Sequence, residues 1–218
     1  PPPTLTLCLT LSLTLSLSLS TASAASVTGL AFISPIILLI KNHYNTSSNE
    51  VQFTITIYLA AICISQIFWG PLSDLIGRRL VLIIGASLFS LGGILASLNL
   101  AFEVFVFFRF VQGIGAAACL SMPRVMLTES YGVKKAAAKM STLLAFMAIF
   151  PILSAAFGGY IGENYGWQIN FFTLFIFGGL VFSLNYVYSP ETIKNKAKRL
   201  NFRTTFLDFR YLFGQIPF

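Results

Sequence analysis

Charge is scarce in this chain of 218 residues: Asp, Glu, Lys and Arg together make up 10%, against about 25% in a soluble domain. So little charge cannot cover a water-facing surface. Acid is scarcer still, with 7 Asp and Glu against 14 Lys and Arg, and none lies in the middle of a hydrophobic run. The one histidine, His43, stands in a polar stretch with Lys41, Asn42, Tyr44 and Asn45, where a solvated side chain is expected and not a metal ligand. Cys8, Cys63 and Cys119 form no CxxC pair and read as small apolar packing residues. There is no Gly-rich phosphate loop, no His-rich metal set and no Ser-His-Asp constellation, so neither enzyme chemistry, nor a cofactor, nor a metal is expected. Nucleic acid is excluded as a partner too, for want of a basic, aromatic-laced, water-soluble face.

What the chain has is hydrocarbon. Hydrophobic residues make up 56% and the mean hydropathy is +0.81, in long runs parted by short charged clusters. That pattern predicts an all-α polytopic membrane protein, a bundle of six transmembrane helices with lipid as its solvent. Residues 1–20 are a low-complexity lead in which Leu alternates with Ser or Thr. Period two is formally a strand pattern, but no other segment offers a partner sheet. The apolar stretch Val27–Ile40 falls short of the roughly 20 residues a crossing needs, so the first helix borrows residues from about Ser20 onward. Further spans are expected over 52–69, ended by Gly70-Pro71, then over 80–98, 102–127, 141–161 and 168–188. Residues 21–189 therefore form the transmembrane domain, 190–210 a basic linker, and 211–218 the start of a next helix that is cut short.

The cations check the count. Arg78, Arg79, Lys134, Lys135, Lys139 and the basic residues from Lys194 to Arg210 fall on one side of a six-span chain, and Lys41, Glu50, Glu103 and Glu163 on the other. The positive-inside rule puts both termini and the loop around Asp74 in the cytoplasm.

Three segments stand out within this frame. The turn from Gly70 to Leu80 carries two glycines and a proline, which suit a tight connection between antiparallel helices. Asp74 can bond the free amides of a helix N-terminus or pair with a cation, although an ordinary basic loop has the same composition. In the fourth run, Arg109 costs about 2.5–3.5 kcal/mol inside a membrane unless it finds a cavity or a partner. It either faces one or snorkels outward, being about two turns from the helix start. Gly113, with Gly115 to Ala117, offers a smooth face for close helix packing.

These segments resemble motifs of the major facilitator superfamily. Gly70, Leu72, Asp74, Gly77, Arg78 and Arg79 match the signature G-x-L-a-D-r-x-G-r-r between its second and third helices, with Leu75 where a basic residue is usual. Arg109, Gln112, Gly113 and Gly115 match R-x-x-Q-G-x-G-a-a of its drug:proton antiporter branch, the bicyclomycin-resistance type. Arg124 and Glu129 match a charged pair at the cytoplasmic end of that helix, and with Asp74 they are expected to form a cluster under the bundle. Pro151, Gly158 and Gly159 fit the fifth-helix antiporter pattern, with Ser154 and Ala155 replacing its Gly-Pro; Trp167 fits the step that opens the sixth helix and suits an interfacial anchor. Pro35 matches a first-helix proline, but Ala31 and Phe32 stand where an acid is expected.

The resemblance implies the N-terminal half of a secondary active transporter in the cell inner membrane. It implies proton-coupled efflux of drugs or small metabolites by alternating access, with the Asp74 loop as a cytoplasmic latch. The implied partners are membrane lipid, a small-molecule substrate, protons and a missing C-terminal half. Two alternatives stay open: an uptake transporter of the same superfamily, and a truncated or half-length membrane protein that does not transport.

Overall fold

The computed structural model describes residues 3–193, so the expected linker beyond Ile193 and the expected helix start at 211–218 lie outside the described residues. The elements are α1 (Pro3–Ala31), a 3-10 turn (Ser34–Ile36), α2 (Ile37–Tyr44), α3 (Ser48–Ile76), α4 (Arg78–Ser97), α5 (Phe102–Tyr165) and α6 (Trp167–Tyr188). They provide six membrane spans of 20–33 residues: Ser12–Tyr44, Ser48–Ile76, Arg78–Ser97, Phe102–Gly132, Lys135–Tyr165 and Trp167–Tyr188. At 1.5 Å per residue even the shortest crosses about 30 Å of hydrocarbon.

The first span begins earlier than the sequence predicts. The Leu/Ser stretch is helix, not strand, and Leu15, Leu19, Ser16, Ser18 and Ser20 are buried. In a helix, successive steps of two spread Leu and Ser over every face, which suits a helix packed on several sides. The serines are tolerated because they bond their own backbone: Ser18 Oγ donates to Leu15 O at 3.0 Å and Ser20 Oγ to Ser16 O at 2.7 Å. This span packs against α5 and α6, α4 packs against both of those as well, and α3 packs against α5. Two polar ties run through the contacts: Tyr58 Oη donates to Ser26 O at 2.8 Å and Asn185 Nδ2 to Ser18 O at 3.1 Å.

The connections are short. Ser47 opens α3 with a capping box, its hydroxyl accepting from Glu50 N at 3.3 Å while Glu50 accepts from Ser47 N at 2.7 Å. At the other end α3 does not stop at Gly70-Pro71, as the sequence predicts. Pro71 sits inside the helix, which a membrane bundle accommodates, and the break falls at Gly77 with φ 113°, ψ 149°. That region of backbone space is closed to residues with a Cβ, and one glycine reverses the chain. Gly132 (φ 71°, ψ 159°) makes the same break between the fourth and fifth spans, replacing the loop expected over Lys134–Lys139. Gly166 (φ 91°, ψ 155°) makes it between the fifth and sixth. Trp167, expected as an interfacial anchor, is 3% exposed and lies in an aromatic cluster with Tyr44, Phe105 and Phe171. His43 is exposed but tied, its Nε2 lying 2.5 Å from Asn99 Oδ1.

Candidate functional site

The latch turn assembles around Arg78. Ser73, buried one turn before the break, donates to Gly70 O at 2.7 Å and receives a bond from Arg78 Nη1. Arg78 Nη2 pairs with Asp74 Oδ1 at 2.5 Å, and its Nε reaches Glu129 Oε1 at 3.3 Å across to the end of the fourth span. Asp74 therefore pairs with a cation on its own side of the turn and does not cap the next helix. That cap comes from afar. Gly77 has no side chain to offer the first amides of α4, and Glu191 Oε1 accepts from Arg78 N at 3.0 Å. Thr192 Oγ1 then donates to Glu129 Oε2 at 2.5 Å, which closes the network. Arg79 donates to Tyr186 O at 2.5 Å and lies 5.7 Å from that ring's centre.

The segment after the sixth span is thus stitched to the turn after the second. Arg78 is 13% exposed at its side chain and Asp74 48%, so water screens the Asp74 pair far more than the guanidinium's other bonds. Leu72 packs partly buried against the core, and Gly70 has open space where a side chain would be. The structure does not bring Arg124 to this cluster. Five helical positions separate it from Glu129, roughly 140° around the axis; Arg124 is exposed, with Nη2 3.7 Å from Met147 Sδ.

The second constellation lies inside the bundle. Arg109 is fully buried, so it does not snorkel. Nη1 bonds Gln112 Oε1 at 2.5 Å, Nη2 bonds Gly29 O at 3.1 Å, and the guanidinium lies 4.3 Å from the centre of the Tyr58 ring. Phe171 stands 5.6 Å away on the sixth span. The Gly29 carbonyl is free for a local reason. α1 ends at Ala31, ahead of Pro35, and Ile33 N donates to Leu30 O instead of Gly29 O. The proline-linked break thereby supplies an acceptor for a cation eighty residues later in the chain.

Close approach puts these groups in reach. A Cβ at Gly113 would lie 2.6 Å from Tyr58 O, and one at Gly115 would collide with Phe89 N and Gly85 O, so the fourth span packs backbone to backbone on the second and third. In the fifth span, Gly158 lies against Phe32 and Gly159 against Pro35, while Asn170 Nδ2 donates to Gly158 O at 2.9 Å. Pro151 is half-buried within the helix. Glu191, Thr192, Ser73 and Tyr186 are missing from the sequence-predicted set. Glu191 falls in the stretch 190–210, which reads only as a basic linker, and nothing local reveals a partner 113 positions away.

Six apolar spans with this turn and this buried arginine define a polytopic membrane transporter fold. The chain belongs to the Major Facilitator Superfamily, whose family profile matches residues 19–218. Among its relatives, a bicyclomycin resistance protein homolog of Haemophilus influenzae is 27% identical over 184 residues, 84% of this chain and 46% of that protein. Multidrug resistance protein MdtL of Escherichia coli is 31% identical over 148 residues, 68% of this chain and 38% of its own length. A crystal structure of a D-xylose-proton symporter superposes with a TM-score of 0.75 at 18% identity, over 92% of this chain and 52% of the symporter. The chain spans about half the length of the curated relatives it matches.

Proposed function

We propose that the chain is the N-terminal half of a secondary active transporter that exports drugs or small metabolites, with protons as the coupling ion. The observation that carries this reading is the Asp74–Arg78–Glu129 network at the matched turn, in a chain whose relatives are named for bicyclomycin and multidrug resistance. Bonds of this kind can break and re-form as two halves rock around a site between them. The half-exposed Asp74 pair is open to water, and Glu191 and Thr192 add bonds from the segment after the sixth span.

Proton coupling in this reading draws on the second half. Among the described residues no carboxylate lies in the middle of a span, and Arg109 is held by carbonyls and rings. The reading places both ends and the basic turns in the cytoplasm, at the inner membrane, because Arg78, Arg79, Lys135 and Lys139 lie at one end of the bundle and Lys41, Glu50 and Glu163 at the other. The test is drug tolerance of an efflux-deficient bacterial host expressing this chain with a second six-span half. Tolerance should rise, and Asp74→Asn should remove most of the gain. No gain in a host where the protein is present in the membrane would refute export and leave the uptake transporter and the half-length protein that does not transport.

A further inference from the structure

Among the described residues, Arg124 is the one charged side chain left both exposed and away from the ends of the bundle. It stands seven positions past the middle of the fourth span, Phe102–Gly132, about 10 Å along the axis. The Cα–Cβ bond of a helical residue tilts toward the helix N-terminus, which for this span points away from the latch turn and into the layer. Its Nη2 lies 3.7 Å from Sδ of Met147, which is only three positions from the middle of the fifth span, Lys135–Tyr165. The guanidinium is thus level with the middle stretch of the fifth span. That is inside the hydrocarbon, whose half-thickness is about 15 Å, and the side chain does not snorkel to the nearer headgroups.

No anion answers this charge. Among the described residues Arg124 has no ion pair, and every carboxylate lies near an end of the bundle. Glu129, five positions on, is taken by Arg78 and Thr192. The side chain's contact with Met147 is to a thioether, a weak acceptor. Arg109 differs on each count, being fully buried and held by Gln112, the Gly29 carbonyl and the Tyr58 ring. A cation at this depth is costly against acyl chains, so such residues face a partner or a water-filled cavity. Lipid phosphates are no partner, because they stay at headgroup level.

We propose that Arg124 is an anion-binding residue of the passage between the two halves, pairing with the carboxylate of an organic monoanion. That the anion is carried rests on the export reading; that Arg124 binds it does not. The fork of a guanidinium matches a carboxylate with two parallel hydrogen bonds. One guanidinium offsets one negative charge, so a monoanion fits, and a dianionic phosphate would bring a second charge into the layer unpaired. Met147 alongside is an adaptable apolar surface for the body of the compound. Transporter sites lie toward the midplane, between repeats, and this side chain reaches in that direction. Its charge repels cationic drugs, so the cargo narrows to organic acids.

The test uses the whole chain in lipid nanodiscs and 4-hydroxyphenylglyoxal, a water-soluble reagent for arginine, with modified positions read by peptide mass spectrometry. Arg124 should react in the folded chain and Arg109 only after unfolding. Benzoate should protect Arg124 saturably, leaving about one-tenth of the free rate at ten times its half-saturating concentration. Benzamide, its neutral isostere, and sodium chloride of equal ionic strength should not protect. The same benzoate should raise the melting midpoint by about 3–6 °C, and Arg124→Gln should abolish that shift. Three results would overturn the proposal: an Arg124 that is unreactive in the folded chain, protection by benzamide or chloride equal to that by benzoate, or an Arg124 that turns unreactive once a second six-span half is joined, which would assign the pairing to a side chain of that half. Benzoate protection in a protein that gives no drug tolerance would uphold the anion site and sink export; tolerance without protection would do the reverse.

Discussion

Replacing Gly113 with alanine adds one carbon and two hydrogens at the tightest crossing of the second and fourth spans. The new Cβ would sit 2.6 Å from Tyr58 O and 2.7 Å from Ala61 Cβ. Carbon atoms rest about 3.5–4.0 Å apart, so each contact is short by about 1 Å. Neither obstacle can rotate away, because one is backbone and the other is a Cβ. The two helices must part, and Tyr58, the ring beneath Arg109, moves with its own. Overpacking of this kind costs about 1–3 kcal/mol, and at about 2–4 °C per kcal/mol the melting midpoint falls by several degrees. With Cys8 and the exposed Cys63 replaced by serine, Cys119, fully buried on the same helix, provides the readout, since a thiol-reactive fluorophore reaches it only as the bundle opens. Gly70→Ala is the control: nothing lies within 4 Å of its Cβ, and alanine favours a helix by about 1 kcal/mol over glycine, so that variant should melt at the same temperature or higher. Ala61→Gly in the Gly113→Ala background removes one of the two contacts and should recover part of the loss. A Gly113→Ala protein that melts no lower than wild type would refute the account of this crossing.

Three further outcomes follow from the same geometry. Arg109→Lys should lower the melting temperature markedly, a loss of about 3–5 kcal/mol, because one ammonium cannot reach both Gln112 Oε1 and Gly29 O and stays buried without them; a melt within a degree of wild type would contradict that picture. Glu191→Ala uncaps α4 at a cost of about 0.5–2 kcal/mol, seen as faster hydrogen exchange at the Arg78 amide while the amides of α6 stay protected. Gly132→Ala meets no atom within 4 Å yet should cost about 1–3 kcal/mol in the same thiol-dye melt, purely from backbone strain.

Much of the bundle was legible because a membrane span is a matter of length and composition, and cations mark the ends. The turn and the arginine motif were legible as short local patterns. What escaped the sequence has one cause: its meaning lies in distant partners. Ser16, Ser18 and Ser20 looked like low complexity because nothing nearby shows that their hydroxyls turn back on the helix. Pro71 looked like a stop, since its tolerance depends on the surrounding bundle. Arg124 and Glu129 looked like a pair, but the helix sends them to different sides. Glu191 looked like part of a linker, and its partner is the amide of Arg78, 113 positions earlier.

The partners of Arg109 also bear on how the chain enters the membrane. Gly29 and Tyr58 precede it, Gln112 is three positions on, and of its contacts only Phe171 belongs to a later span. Synthesis runs from the N-terminus, so the first and second spans reach the bilayer before the fourth. The acceptor and the ring are in place before the guanidinium arrives, and an insertion that would otherwise cost about 2.5–3.5 kcal/mol meets its compensation on entry. A chain carrying these spans in the reverse order would have to hold the same cation in lipid and wait.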